Sequence, residues 1–293
     1  MRVDDWKLIN GDCVEVVGAM EPDTVGYSIF SPPFSSLYTY SDDPRDMGNC
    51  KGDKEFFEHL SFLVPKLFRV TMPGRCLSFH CMNLPTSKAK DGFIGIRDFR
   101  GHLIKAFEGA GWIFHSEVCI WKDPVTAMQR TKALGLLYKQ LKKDSCLSRQ
   151  GIPDYLVTMR KPGSNESPVT KIPLYSDVHP YGMHVSEWQE YASPVWMDIQ
   201  PSKTLQSMRD EKDERHVCPL QLEVIERGIR LWSMPRDLVL SPFAGIGSEG
   251  YVALKMDRRF YGVELKPSYY EQALKNLQRA EHEAAQPSLF ADA

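Results

Sequence analysis

A chain of 293 residues that is 42% apolar is long enough for one large α/β domain with an insertion or for two modest domains, and its formal net charge of −2 excludes a protein held on nucleic acid by overall charge. Any contact with an anionic polymer must therefore come from a local basic surface. Seven cysteines, at 13, 50, 76, 81, 119, 146 and 218, are an odd number too sparse for a disulfide framework, so they are expected to be reduced thiols.

In chain order, the start carries Arg2, Asp4, Asp5 and Lys7, and no apolar run follows that would make a signal peptide or a membrane span. The expectation is a cytosolic protein without a membrane partner. Val25 to Phe30 reads as a buried strand. Phe56, Leu60, Val64 and Leu67 recur at helical spacing and predict a helix over Lys54 to Val70, which Pro65 should kink or shorten. Cys76 to Cys81 is the next strand-like run. Its sequence CLSFHC puts His80 beside two cysteines, but no second ligand cluster follows, so a buried strand is expected and no metal. Trp112 to Trp121 and Tyr155 to Met159 are further strands.

Between Lys122 and Lys161, nine Lys or Arg stand against three Asp, a surplus of six positive charges. Arg130, Lys132, Lys139, Lys142, Lys143 and Arg149 are the candidate phosphate contacts. Pro162 to Arg215 is rich in Pro, Ser, His and Tyr with weak periodicity, as expected of a long functional insertion. A helix follows over Pro219 to Trp232, and then strand, turn, helix, strand and helix from Asp237 to about Ala280. The alternation predicts a doubly wound, mainly parallel α/β sheet.

Two segments carry chemistry. In DLVLSPFAGIGSEGYVAL, a strand meets Gly245, Gly247 and Gly250 at G-x-G-x-x-G spacing, which lets the backbone approach a ligand before a helix near Ser248. A second strand, Arg259 to Val263, ends in Glu264, where a carboxylate can accept hydrogen bonds from ribose hydroxyls. In VGYSIFSPPF, a strand runs into Ser31, Pro32, Pro33 and Phe34. The Ser31 hydroxyl and the Pro32 carbonyl are acceptors on a stiff backbone, suited to the two N–H bonds of an exocyclic base amine. Phe34 offers a stacking face worth about 1–3 kcal/mol per base, comparable with the cost of unstacking a base from the duplex.

Ser31-Pro32-Pro33-Phe34 resembles the catalytic motif of DNA amino-methyltransferases, and Phe243-Ala244-Gly245-Ile246-Gly247 resembles their S-adenosylmethionine motif. The order, catalytic motif first, is similar to the family's circularly permuted β group. The resemblance implies a class I methyltransferase-like fold. It implies a catalytic domain built from residues 1–161 and 216–285, a target-recognition insertion at 162–215 and a flexible tail at 286–293. It places S-adenosylmethionine against Asp12, Cys13, Ser31, Phe243, Ala244, Gly245, Gly247, Ser248 and Glu264. The implied activity is site-specific methylation of double-stranded DNA, as in restriction-modification, by a monomer or homodimer. Lesser likenesses are Gly11-Asp12-Cys13, Trp121-Lys122, Asp154 to Lys161 and Cys218-Pro219-Leu220.

Two departures stand out. Ser241-Pro242-Phe243 replaces the family's Asp-Pro-Phe and removes a carboxylate that helps hold the cofactor's ammonium group. Gly247-Ser248-Glu249 replaces Gly-Thr, with Ser248 still able to cap the helix. Serine at the first catalytic position is associated in the family with cytosine N4 enzymes, so cytosine is expected, with adenine N6 the alternative. Methylation of RNA or of a protein glutamine, and an inactive DNA-binding module, are the rival readings. The tail Gln286-Pro287-Ser288-Leu289-Phe290 resembles peptides that dock on the bacterial sliding clamp through Gln286, Leu289 and Phe290.

Overall fold

The structure, a computed structural model, describes residues 5–34, 43, 45–131, 136–170, 182–205 and 219–285. In chain order the elements are β1 (Trp6–Asn10), α1 (Cys13–Ala19), β2 (Val25–Phe30), α2 (Asp53–Val70), β3 (Thr71–Met82), β4 (Leu84–Pro85), α3 (Lys88–Asp91), β5 (Ile96–Arg97) and α4 (Phe99–Gly109). They continue with β6 (Ile113–Ile120), α5 (Pro124–Thr131), α6 (Tyr138–Lys143), β7 (Asp154–Arg160), α7 (Val185–Tyr191) and β8 (Val195–Trp196). The last are α8 (Leu222–Trp232), β9 (Leu238–Ser241), α9 (Ser248–Lys255), β10 (Arg259–Glu264) and α10 (Pro267–Ala285).

One sheet has the order β1-β10-β9-β2-β3-β7-β6-β8. The pairings from β1 through β3 are all parallel, whereas β7 runs antiparallel to both β3 and β6. The sheet is thus mainly parallel and doubly wound, as expected, with one reversed strand that apolar patterning does not reveal. Strands from the end of the chain, β9 and β10, lie between β1 and β2, the signature of a permuted order. Tyr27 pairs with Val239 and Ser28 with Leu240, so β2 and β9 finish side by side at one edge. The chain leaves β9 toward β10 and β2 toward β3, which makes their junction the crevice where such sheets bind ligands.

Apolar layers cover both faces. One is formed by Val17, Phe56, Leu60, Leu67, Leu103 and Phe107 from α1, α2 and α4. The other contains Val224, Ile225, Ile229, Ala253 and Leu277 from α8, α9 and α10. All six residues of β2 are buried, which suits a central parallel strand covered on both faces. The predicted stripe of α2 is buried, but Pro65 does not shorten the helix, which continues to Val70. Pro65 and Ser61 are both exposed, so the Ser61 carbonyl that loses its partner faces water. The helix expected from Pro219 begins at Leu222, with Gln221 at its N-cap.

Within 162–215, α7 and β8 are regular elements that the sequence did not announce. β8 extends the sheet through Cys119↔Val195 and Ile120↔Trp196, and Trp196 is buried. Arg227 reaches Glu190 at 2.7 Å and also pairs with Asp198, while Arg230 donates to Glu187 and to the Gly182 carbonyl at 2.9 Å. These pairs fasten α7, which buries no side chain of its own, to α8. Among the described residues no helix is long and apolar enough to cross a membrane.

Candidate active site

The ends of β1, β10, β9 and β2 enclose a cleft of about 1080 Å³, counting the space at its mouth, and both motifs line it. Phe30 at the end of β2 and Phe243 in the glycine turn meet with ring centroids 5.8 Å apart, joining the two motifs directly.

The glycine turn is built for close approach. Gly245 (φ +52) and Gly247 (φ +86) take left-handed conformations that other residues adopt at a cost. A Cβ on Gly245 would meet nothing within 4 Å, so a side chain there would stand in the cleft. A Cβ on Gly250 would come within 2.5 Å of Leu277 and Phe260, so this glycine lets α9 press onto α10 and the sheet. The Asn276 side chain donates to the Ile246 carbonyl at 2.8 Å and braces the turn from α10. Ser248 does not cap the helix as expected. The left-handed Gly247 occupies the N-cap without a side-chain bond, and Ser248 becomes a buried first-turn residue.

Glu264 closes the other wall. Its Oε2 accepts from Gly245 N–H at 2.8 Å and its Oε1 from Lys266 N–H at 2.9 Å. Burial pushes the Glu264 carboxyl up to about 7, against the pull of the Lys266 and Gly245 donors. Glu249, only 4% exposed and also on the cleft wall, is pushed up to about 8 by burial, with the charge of Glu264 adding to it. Asp12 lines the same cleft, and its Oδ1 caps α1 by accepting from Val14 N–H at 2.7 Å and Glu15 N–H at 3.1 Å. The neighbouring Cys13 thiol is pushed well above its ordinary value by burial and by Asp12, which makes it inert.

The raised acids give a pH prediction. A carboxyl with a folded-state value near 8 and an unfolded value of 4.5 contributes stability below pH 4.5 and loses it as pH rises through 8. The ligand-free protein should lose on the order of 4 kcal/mol from Glu249 across that window. Denaturant titrations at pH 6 and 8.5 should show Glu249→Gln with a flatter pH dependence than the parent, and equal slopes would contradict the assignment.

Opposite the turn, Ser31 and Phe34 are half-buried and Pro32 is buried. Phe34 sits edge-on to His80 at 6.1 Å and to Phe99 at 6.4 Å. Ser31 Oγ lies 3.1 Å from His80 Nδ1, and His80 Nε2 lies 3.1 Å from Asp154 Oδ2. Lys122 Nζ donates to Asp154 Oδ1 at 2.5 Å. Burial alone would raise the Asp154 carboxyl, but His80 and Lys122 outweigh it and hold the group below its ordinary value.

His80 and Asp154 are the site residues that sequence reasoning missed. The usable signal was alternation, which puts Cys76, Ser78 and His80 on one face of β3 and Leu77, Phe79 and Cys81 on the other. Cys76 belongs to one apolar layer and Cys81 to the other, so the CLSFHC run does not gather ligands around one point. Among the described residues no metal-binding group of three or more His, Cys, Asp or Glu occurs.

Among the described residues, no candidate phosphate contact lines the cleft. Lys139, Lys142 and Lys143 are exposed on α6, and Arg149 is half-buried beyond it. The Arg130 side chain, Lys132, and the tail residues Gln286, Leu289 and Phe290 lie outside the described residues. Two other charges of the basic stretch are engaged internally, Lys122 with Asp154 and Lys161 with Asp23 at 2.7 Å.

A permuted doubly wound sheet, a glycine turn backed by an acidic strand end, and Ser-Pro-Pro-Phe thus meet around one cleft. The chain matches the DNA methylase family of N6 and N4 methyltransferases over residues 27–275 and belongs to it. S-adenosylmethionine is the methyl donor of that family. Among its relatives, the type II methyltransferase M.BglII of Bacillus subtilis is 22% identical over 274 residues, 92% of this chain and 68% of the relative. Among solved structures, TTHA0409, described as a DNA modification methylase of Thermus thermophilus and complexed with S-adenosyl-L-methionine, superposes with a TM-score of 0.67. It is 20% identical, over 94% of this chain and 95% of that one. The cytosine-N4-specific PvuII DNA methyltransferase gives a TM-score of 0.61 at 13% identity, over 96% and 94%.

Proposed function

We propose that this chain transfers a methyl group to the N4 amine of a cytosine turned out of duplex DNA. The observation that carries the reading is the meeting of Ser31-Pro32-Pro33-Phe34 and the Gly245 turn in one cleft, with Phe30 against Phe243.

The cleft fits S-adenosylmethionine. An open space stands over Gly245 where a Cβ would intrude, and a carboxylate at Glu264 is aimed across it. Glu264 would hold the ribose hydroxyls, the backbone of Phe243, Ala244 and Gly245 would lie against the ligand, and Ser248 lines the cleft, whereas Gly247 packs toward Ala273 of α10. Asp12 and Cys13 border the adenine. Ser241 leaves its strand end without a carboxylate, and Glu249 is one of the acids that line the cleft with Asp12 and Glu264. When bound, the cofactor supplies an electrophilic methyl on sulfonium sulfur.

The protein's part is positioning. Ser31 Oγ and the Pro32 carbonyl accept the two amine N–H bonds, which draws the nitrogen toward tetrahedral geometry and turns its lone pair outward. Phe34 stacks on the base and Pro33 keeps the segment stiff. Residues 1–161 and 216–285 form the catalytic domain, and 162–215 reads the target sequence. Lys139, Lys142, Lys143 and Arg149, with Arg130 and Lys132, face the phosphates. The 286–293 tail is a tether to the sliding clamp.

Serine at position 31 favours cytosine, because a neutral hydroxyl is the family's usual choice for that base. The test is to incubate the protein with duplex DNA and tritiated cofactor and to separate the digested nucleosides. Label in N4-methyldeoxycytidine is expected. Label in N6-methyldeoxyadenosine would overturn the base assignment, and label in protein or RNA but not DNA would overturn the substrate class.

A further inference from the structure

Ser31 has a chemical problem that an acidic residue in its place would not have. A hydroxyl carries one donor and two acceptor positions, and its rotor can turn either way toward a target amine. If its hydrogen pointed at the amine it would repel the N–H bonds it must hold. It is also a poor base, while methylation of a neutral amine leaves a proton that must be removed before the product is released.

The structure supplies a partner. His80 is buried on β3, the strand next to β2, with Nδ1 3.1 Å from Ser31 Oγ. Its other nitrogen lies 3.1 Å from the carboxylate of Asp154, which is itself only 2% exposed. Asp154 reaches this edge because β7 is the reversed strand, so its first residue stands level with the last residues of β3 and β6: Met82 and Ile120 are its register partners. Lys122, two residues past β6, completes the line at 2.5 Å from the second carboxylate oxygen. Four side chains from three strand ends and the catalytic loop thus follow one another at 2.5 to 3.1 Å.

We propose that His80, oriented by Asp154 and Lys122, fixes the Ser31 hydroxyl as an acceptor toward the target amine and takes up the proton released when that amine is methylated. This rests on the methyltransferase reading above and gives it a proton path.

In the proposed tautomer Nδ1 accepts the Ser31 O–H and Nε2, 3.1 Å from Asp154 Oδ2, carries the ring hydrogen. The bond to Nδ1 consumes the only donor of Ser31, leaving its lone pairs for the base. As the amine nitrogen forms its bond to the methyl carbon, the carbon–sulfur bond breaks and its electron pair stays on sulfur. The nitrogen, now positively charged with two hydrogens, gives one to Ser31 Oγ as Ser31 passes its own proton to His80 Nδ1. The imidazolium is balanced by the Asp154 carboxylate, and its proton is later lost to solvent.

Other charges do not substitute for this line. Arg100 pairs with Glu117 at 2.8 Å and Asp98 caps α4 by accepting from Gly101 N–H at 2.9 Å. On α8, packed on the His80 face, Glu223 pairs with Lys203, Arg227 with Glu190 and Asp198, and Arg230 with Glu187.

His80 is a positioning residue acting through Ser31, and its test needs a readout that mere packing would not move. Single-turnover methylation of duplex DNA is measured from pH 5.5 to 9 for the parent, His80→Asn and Lys122→Met. The parent should slow on the acid side as His80 becomes protonated. Asparagine can still accept from Ser31 but cannot titrate, so its rate should fall about 100-fold and the acid limb should vanish, with cofactor affinity by calorimetry unchanged. Lys122 is part-exposed, and Lys122→Met should move the acid limb to higher pH. A His80→Asn protein with the parent's limb, or a Lys122→Met protein whose limb does not move, overturns the relay while the methyltransferase reading stands. A parent that binds cofactor but methylates no DNA overturns both.

Discussion

Replacing Ser31 by alanine is expected to lower turnover by about 100- to 1000-fold while cofactor affinity stays within about twofold. The magnitude follows from losing one preorganised hydrogen-bonding group aimed at charge that develops in the transition state, about 3–4 kcal/mol in water-excluded sites. Affinity should persist because the cofactor side of the cleft, Glu264 and the Gly245 turn, does not depend on the Ser31 hydroxyl. The loss should appear in kcat and in kcat/KM alike, since the amine's two N–H bonds need both acceptors most when nitrogen becomes tetrahedral. Single-turnover kinetics beside calorimetric titration separates the two quantities. An equal loss of cofactor affinity would show that Ser31 belongs to the cofactor wall and not to the base pocket.

The second large effect falls on the opposite wall. Glu264→Ala should weaken cofactor binding by about 100-fold, consistent with the loss of charge-assisted hydrogen bonds of about 1.5–3 kcal/mol. It removes the acceptor for ribose hydroxyls and also frees the Gly245 and Lys266 N–H groups that Glu264 now holds. Gly245 would then lose the bond that keeps the turn open toward the ligand. Glu264→Gln keeps an oxygen for one of those donors and should lose less. Calorimetry with S-adenosylhomocysteine reports the affinities, and an alanine variant that binds like the parent would remove Glu264 from the site.

Much of this was legible before any coordinates. The strands that carry the site are apolar runs ended by residues that cannot continue them: Val25 to Phe30 by the paired prolines, Leu238 to Ser241 by Pro242 and the glycines. Their buried positions agree with the patterning because both lie in the middle of the sheet, where apolar burial dominates local choice. What stayed hidden depends on contacts distant in sequence. The reversal of β7 leaves no mark on its apolar run, yet it alone brings Asp154 to His80. His80 read as one polar residue in a core strand, because alternation shows a face but not the neighbour across it.

The elements outside the catalytic sheet were hidden for another reason. α6 and α7 bury no side chains, so no apolar stripe marks them. Ion pairs from Arg227 and Arg230 anchor α7, and charge pairing has no periodicity to read. The expected cap at Ser248 failed because a left-handed Gly247 took the position itself, a choice fixed by the tight approach of α10: a Cβ there would lie 3.2 Å from Ala273.

The most direct measurement is a crystal structure of the protein with S-adenosylhomocysteine and a duplex carrying its target. The account predicts ribose oxygens within hydrogen-bonding distance of Glu264, sulfur directed at the Ser31 and Pro32 oxygens, and an extruded cytosine stacked on Phe34 between them. A cofactor whose sulfur faces away from Ser31, or a flipped base seated elsewhere, would contradict it.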